Sequence, residues 1–369
     1  MPAIVYYASM RSSLRLNLLG KIDRLLAKMG LPETLQKHHL VAVKTHFGEA
    51  GNTAFVRPVY IRQVVQNVLK TGAKAFVTDS STLYRGSRGD AISHLLTAHH
   101  NGFTYSTVGA PLVIADGLRS QAAIEVPIDG EHYRTVPVAD AIAMSDAMVV
   151  VSHFKLHEAT GFGGAIKNLG MGCSPRAGKL SMHSSVSPVV LKDKCTGDAI
   201  CVRACTFDAI TLVDNIAVID EEKCTGCAEC MGVCPHQAIV NKWDAGGDIL
   251  QERMAEHAYA AVKGKQERCF YINFILRVSP ACDCYGMNDS PIVPDLGIYA
   301  STDPVALDTA CVDALKQAHG LPDSALKKAM KPGSDKIADV YPEVRYTIQL
   351  SHAEKIGLGS RIYQVEPIG

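Results

Sequence analysis

Across 369 residues, 47% of them hydrophobic, the chain has enough apolar material for one large or two medium folded domains, which excludes a disordered or fibrous polymer. Lysine plus arginine equals aspartate plus glutamate at 37 each, so no long-range field favours nucleic acid or an anionic membrane, and a charged ligand needs a local cluster. No apolar run reaches the ~20 residues of a membrane helix and residues 1–10 lack a secretory signal; a soluble cytoplasmic protein is expected, its twelve cysteines metal ligands before disulfides.

Ala3, Ile4, Val5, Tyr6 and Tyr7 read as a first short strand. From residue 40 the pattern alternates: a strand over 40–44, a polar loop, a helix over 57–70 carrying Val59, Ile61, Val64, Val65, Val68 and Leu69, then a strand over 75–78. Strand, helix, strand implies parallel pairing, so the fold class is α/β with a mostly parallel sheet. Asp79, Ser80 and Ser81 close that strand, where open α/β sheets place ligand-contacting loops. Gly72, Gly102 and Gly109 read as turns, and His94, His99 and His100 as helix-surface residues. Residues 147–151 form the next apolar strand.

Three segments are too polar or too glycine-rich for ordinary connections. Lys44, His46 and Glu49 follow one strand, and Lys155 and His157 follow another. Then Gly161, Gly163 and Gly164 run into a short helix with Lys167 and Asn168. This loop matches neither the P-loop nor G-x-G-x-x-G. Its backbone N–H groups beside Lys167 suit an anion or cofactor; equally, the glycines suit a tight turn packed under the sheet. Loops after parallel strands gather on one sheet edge, so these seven polar residues are expected to converge into one pocket.

Residues 189–245 differ from their surroundings: seven cysteines fall in one stretch, and 195–210 and 224–239 share the frame C-T-G-x-x-x-C-x-x-x-C-x-x-x-A-I. This internal duplication marks a compact ferredoxin-like α+β module, entered through 184–188 and left through 244–247. It divides one α/β domain into parts spanning 1–188 and 246–369. In the second part, helices are expected over 248–262, 305–319 and 343–355, the second capped by Asp303 with Pro304 at its first position, and a strand over 270–278.

Cys224, Cys227, Cys230, Cys234 and Pro235 satisfy C-x2-C-x2-C-x3-C-P in full. In this spacing three thiolates grip one iron–sulfur cube and the fourth reaches a second cube, whereas a zinc ribbon needs two separated C-x2-C pairs. Cys205, Cys224, Cys227 and Cys230 are therefore expected to hold a [4Fe-4S] cluster. The first copy has Cys195, Cys201 and Cys205 but Asp198 where a cysteine is expected, and Thr206 in place of the proline. Cys195, Cys201 and Cys234, with Asp198 as fourth ligand, would hold a [3Fe-4S] or a labile [4Fe-4S] cluster, or an empty site. Cys173, His183, Cys282 and Cys284 are weaker metal-ligand candidates, while Cys269 and Cys311 sit in apolar contexts and read as core.

The stretches at 44–58 (K-T-H-F-G-E-A-G-N-T-A-F-V-R-P), 152–172 (S-H-F-K-L-H-E-A-T-G-F-G-G-A-I-K-N-L-G-M-G) and 282–308 (C-D-C-Y-G-M-N-D-S-P-I-V-P-D-L-G-I-Y-A-S-T-D-P-V-A-L-D) resemble the DUF362 family over nearly the whole chain. The resemblance implies one α/β domain interrupted by an iron–sulfur insertion, with Asp198 as a departure from the family's cysteine; it implies no reaction. The leading expectation is a redox enzyme passing single electrons between the module and an anionic substrate or cofactor in the α/β domain. The alternatives are an electron-transfer subunit that docks a redox partner, and a non-redox enzyme with structural or sensory clusters.

Overall fold

The computed structural model describes residues 2–83, 86–183, 187–242 and 245–368. Eight strands form the main sheet: β1 Ala3–Ala8, β2 Leu40–Lys44, β3 Lys74–Asp79, β4 Leu112–Ile114, β5 Ala147–His153, β6 Cys269–Ile275, β7 Gly297–Ser301 and β8 Tyr363–Pro367. Their order is β8-β1-β7-β6-β5-β2-β3-β4. β7 pairs antiparallel with β1 and β6, and the other neighbours pair parallel. The fold is α/β with a large, mostly parallel central sheet.

β5 and β6 are buried at every position, as strands covered on both faces must be, which is why they read as unbroken apolar runs. Their side chains alternate between two cores. Met148 and Val150 join Ile166, Met254 and Leu307 on one face, whereas Val149 and Val151 join Ile22, Leu25, Ile61 and Val64 on the other. The helices Ala165–Gly170, Gly247–Val262 and Pro304–Gln317 cover the first face; Leu18–Lys28 and Pro58–Lys70 cover the second. Asp303 caps its helix, accepting from the N–H groups of Val305 and Ala306.

Two elements are shorter than expected. The strand over 270–278 ends at Ile275, because Arg277 takes a left-handed φ of 49° and gives its N–H to Asp295. The last helix is Ile348–Lys355. Tyr346, bonded to Asp335 and pressed against Gly161, holds the preceding residues in turns. His94 is fully buried rather than on a helix surface, its ring edge against Phe47 and facing Asp79. His99 and His100 are exposed, and Cys269 and Cys311 lie in the core.

Strands from both sides of the cysteine-rich segment enter the one sheet. That segment has two short helices, Ile200–Ala204 and Glu229–Val233, each preceded by an alanine at φ 57°. Ile210–Val213 pairs with Ile216–Ile219, and Val189–Val190 pairs with Ile239–Val240, clasping its two ends together. Of the expected linkers, Ser184, Ser185, Val186 and Asp244 lie outside the described residues. Among the described residues no helix is long and apolar enough to cross a membrane.

Candidate functional site

The carboxyl ends of β2, β3 and β5 open onto a cavity of about 1160 Å³. Lys44, His46, Glu49, Lys155, His157, Lys167 and Asn168 all line it, because parallel strands deliver their following loops to one edge. Lys155 and His157 belong to a short strand, Lys155–His157, that pairs antiparallel with Gly161–Gly163.

The cavity's charges arrive with counter-ions of their own. Lys44 Nζ lies 2.8 Å from Asp79 Oδ1 and donates to Asn168 Oδ1 at 2.7 Å. Arg88 Nε donates to Glu49 at 3.0 Å, and its Nη1 stands 3.7 Å from Asp79. Asp283 is shared by His153 Nδ1 at 2.9 Å and Lys155 Nζ at 3.4 Å. Burial alone would raise the Asp79 pKa, yet Lys44 and the nearby histidines hold it well below the usual carboxylate range. Burial holds His46 neutral, well below an ordinary histidine. Among the described residues, Lys167 and Lys179 make no ion pair with a carboxylate. Burial lowers Lys179 to about 8.

The glycine loop has a packing role that its composition left open. The N–H groups of Ala165 and Ile166, at the start of their helix, go to the Asp308 carboxylate at 2.8 and 2.9 Å. A Cβ on Gly164 would stand 2.3 Å from that carboxylate, and one on Gly163 3.0 Å from the Lys167 stem. These helix-start donors are thus engaged by the protein, and Gly163 makes room for two lysine side chains.

Elsewhere on the cavity wall, His157, Cys282 and Cys284 bring ligating atoms within 4.8 Å of one another. Lys167 Nζ is 3.5 Å from Cys282 Sγ, which also accepts the Cys284 N–H at 3.4 Å. A hydrogen bond from the Cys284 thiol, with the Lys167 charge and His157, holds Cys282 well below the usual thiol range despite burial. Burial opposes the Lys167 charge, but the two cysteine sulfurs and Glu158 outweigh it, and its pKa rises. His183 reaches the same cavity wall, whereas Cys173 is buried in the apolar core, its pKa pushed up to about 11.

In the inserted segment, Cys205, Cys224, Cys227 and Cys230 line one small cavity. Cys195, Cys201, Cys234 and Asp198 make a second neighbourhood. The N–H groups of Ala209, Ala217 and Ala238 approach the sulfurs of Cys205, Cys195 and Cys234 at 3.4 Å. Neither cysteine set draws three ligating atoms within 4.8 Å of one another. Asp198 accepts from Ile200 N at 3.0 Å and faces His236 at 3.5 Å.

The segment docks on the helix Arg176–His183. Arg176 Nη1 stands 3.6 Å from the buried Glu229 carboxylate, and its guanidinium fills the space a side chain on Gly232 would need. Leu180 and Leu83 pack into the same apolar cluster as Cys230 and Met231. Leu83, Lys179 and His183 also line the large cavity, so this helix and Leu83 border both the cavity and the cysteine-rich segment.

The family model for a domain of unknown function, DUF362, matches residues 41–313. The chain belongs to the DUF362 family. That match spans the inserted segment of this DUF362 protein and its cavity-lining loops other than 343–345. No curated protein matches it. Among solved structures, it is similar to the lactate racemase apoprotein from Thermoanaerobacterium thermosaccharolyticum at 12% identity and a TM-score of 0.43, over 87% of this chain and 59% of that one. It is also similar to a Thermotoga maritima protein at 14% identity and a TM-score of 0.35, over 72% of this chain and 52% of that one. The DUF362 chain thus spans little more than half of either protein.

Sequence reasoning missed Arg88, Lys179 and His153. Arg88 and Lys179 lie in stretches with no strand-end signal, and nothing in their neighbours marks them. His153 closes a strand inside a segment already singled out, and the spacing His153, Lys155, His157 was the available clue.

Proposed function

We propose that this protein is an iron–sulfur redox protein in which the inserted module exchanges single electrons with a ligand held in the large cavity. One observation carries the reading: a single helix, Arg176–His183, joins the two sites. Arg176 and Leu180 face the cysteine-rich module, and Lys179 and His183 face the cavity.

The residues fit the clusters. Four thiols around one small cavity, with backbone N–H groups aimed at cysteine sulfurs, suit a thiolate-held cluster. Sulfurs around a single zinc, at Zn–S of about 2.3 Å, would sit about 3.8 Å apart, closer than either cysteine set does here. Bound clusters would supply one-electron chemistry at Cys205, Cys224, Cys227 and Cys230, and at Cys195, Cys201, Cys234 and Asp198. Lys167 and Lys179, the two cavity-lining lysines without a carboxylate partner among the described residues, support an anionic group on the ligand; an anion beside Lys179 would restore the charge that burial weakens. The counter-ions already beside Lys44, Lys155 and Arg88 fix the cavity wall instead of recruiting the ligand.

Anaerobic preparation with iron and acid-labile sulfide counted, and EPR spectra of the reduced protein, tests the proposal. One robust [4Fe-4S] signal plus a second, labile or three-iron one is expected. Zinc alone, or no sulfide, would remove the redox reading.

A further inference from the structure

We infer that Cys282 and Cys284 are a redox-active pair, a dithiol that closes to a disulfide inside the cavity by exchange with a small disulfide carrier. The inference needs the cavity to admit small molecules. It does not depend on iron–sulfur clusters in the inserted segment.

The chain folds the two thiols onto one side. Residues Cys282 to Tyr285 make a β-turn, closed by the Tyr285 N–H on the Cys282 carbonyl at 3.1 Å. Asp283, between the cysteines, is fully buried and turned into the wall. Its carboxylate is held by His153 and Lys155, and its carbonyl accepts the Glu49 N–H at 3.1 Å. With the middle residue anchored, Cys282 and Cys284 both line the cavity, and their Sγ atoms lie within 4.8 Å of each other. The Cys284 N–H also points to Cys282 Sγ at 3.4 Å, which folds that side chain back over the turn. Residues two apart in a turn keep their Cα atoms inside the ~4.4–6.8 Å that a disulfide spans. Among the described residues, these are the cavity's two cysteines.

The same sulfurs with His157 would otherwise hold a metal ion, and two contacts oppose that. His157 Nδ1 accepts the N–H groups of Ala159 at 3.1 Å and Thr160 at 3.3 Å, so the neutral ring carries its proton on Nε2. A ligating histidine has the reverse arrangement, with a lone pair on the metal and its second N–H given to an acceptor. The Lys167 ammonium, 3.5 Å from Cys282 Sγ, already sets a positive charge beside a sulfur the ion would need.

Burial sets the order of exchange. Cys282 is fully buried and Cys284 partly exposed, so a carrier R–S–S–R meets Cys284 first. The Cys284 thiol and the carrier give a mixed disulfide, Cys284–S–S–R, and one R–SH. Cys282 then attacks the Cys284 sulfur, forming the Cys282–Cys284 disulfide and releasing the second R–SH. Two protein thiols are oxidised, one carrier disulfide is reduced to two thiols, and both protons leave on the carrier. A small carrier is required, because the reacting sulfurs stand in a cavity and not on an open surface.

Full-length protein, isolated anaerobically, is incubated with oxidised glutathione as the carrier probe; free thiols are then blocked with iodoacetamide and the peptides read by mass spectrometry. Wild-type protein should lose two hydrogens across Cys282 and Cys284, with neither sulfur alkylated, and excess reduced glutathione should reverse the change. Cys282→Ser removes the second sulfur and should retain glutathione on Cys284 as a stable mixed disulfide, circular dichroism checking that the variant is folded. Both cysteines alkylated in the wild-type protein, or glutathione retained on Cys284 there, overturns the pair. An unmodified Cys284 in the folded variant overturns the order of exchange. Stoichiometric zinc that must be removed before either sulfur oxidises overturns the inference in favour of a metal site. Iron, sulfide and EPR on the same samples report separately on the redox reading.

Discussion

Lys44 and Asp79 end neighbouring parallel strands, and their charged groups meet at 2.8 Å with both side chains withdrawn from water. Both residues line the cavity. Removing one member strands the other's charge, which costs about 3–5 kcal/mol for a buried pair. Lys44→Met should therefore lower the urea midpoint strongly, softened by Arg88 and His94, each 3.7 Å from Asp79. Adding Asp79→Asn should recover part of the loss, and a double-mutant cycle of unfolding free energies would read the coupling.

Asp198 lies beside Cys201, and in the proposed clusters it stands where a fourth cysteine ligand is expected. Asp198→Cys should raise the iron content of the weaker site to four and replace a three-iron EPR signal with a four-iron one. An unchanged count and spectrum would show that position 198 does not reach the cluster.

Gly164 is required by contact, since a Cβ there would lie 2.3 Å from the Asp308 carboxylate that caps the next helix. Gly164→Ala should destabilise the protein by roughly 1–3 kcal/mol, the usual cost of overpacking. Thermal unfolding followed by circular dichroism would measure it, and Gly246→Ala, with open space around its Cβ, is the control.

Acid should weaken the fold through buried histidines. Burial holds His257 down to about 3, against the pull of Glu256. Its folded pKa is below the unfolded value near 6.5, so the folded state binds fewer protons between them, and stability is complete above 6.5 and falls as pH drops toward 3. Between pH 6.5 and 5 the loss is about 2 kcal/mol from this one group. Urea midpoints across that range should show it, and His257→Leu should flatten the slope.

The strands were legible because burial on both faces writes itself as an apolar run, as in Ala147–His153. The convergence of Lys44, His46, Lys155 and Lys167 was legible because parallel topology leaves their loops one edge to occupy. Pairings across long separations were not. Asp308 caps a helix 143 residues earlier, and nothing local distinguishes it from a surface aspartate. His94 looked like a surface residue because its helix has a weak apolar stripe, and only the fold brings Phe47 and Asp79 to it.

The two-residue clasp between Val189–Val190 and Ile239–Val240 brings the inserted segment's ends side by side. To the surrounding sheet, those fifty-odd residues are topologically no more than a tight turn. Their length adds little to the entropy of closing the connection, since that cost grows only with the logarithm of loop length. A chain that exchanged the segment for a short hairpin would still have all eight strands of the sheet, and would lose its cysteine-rich module without losing its architecture.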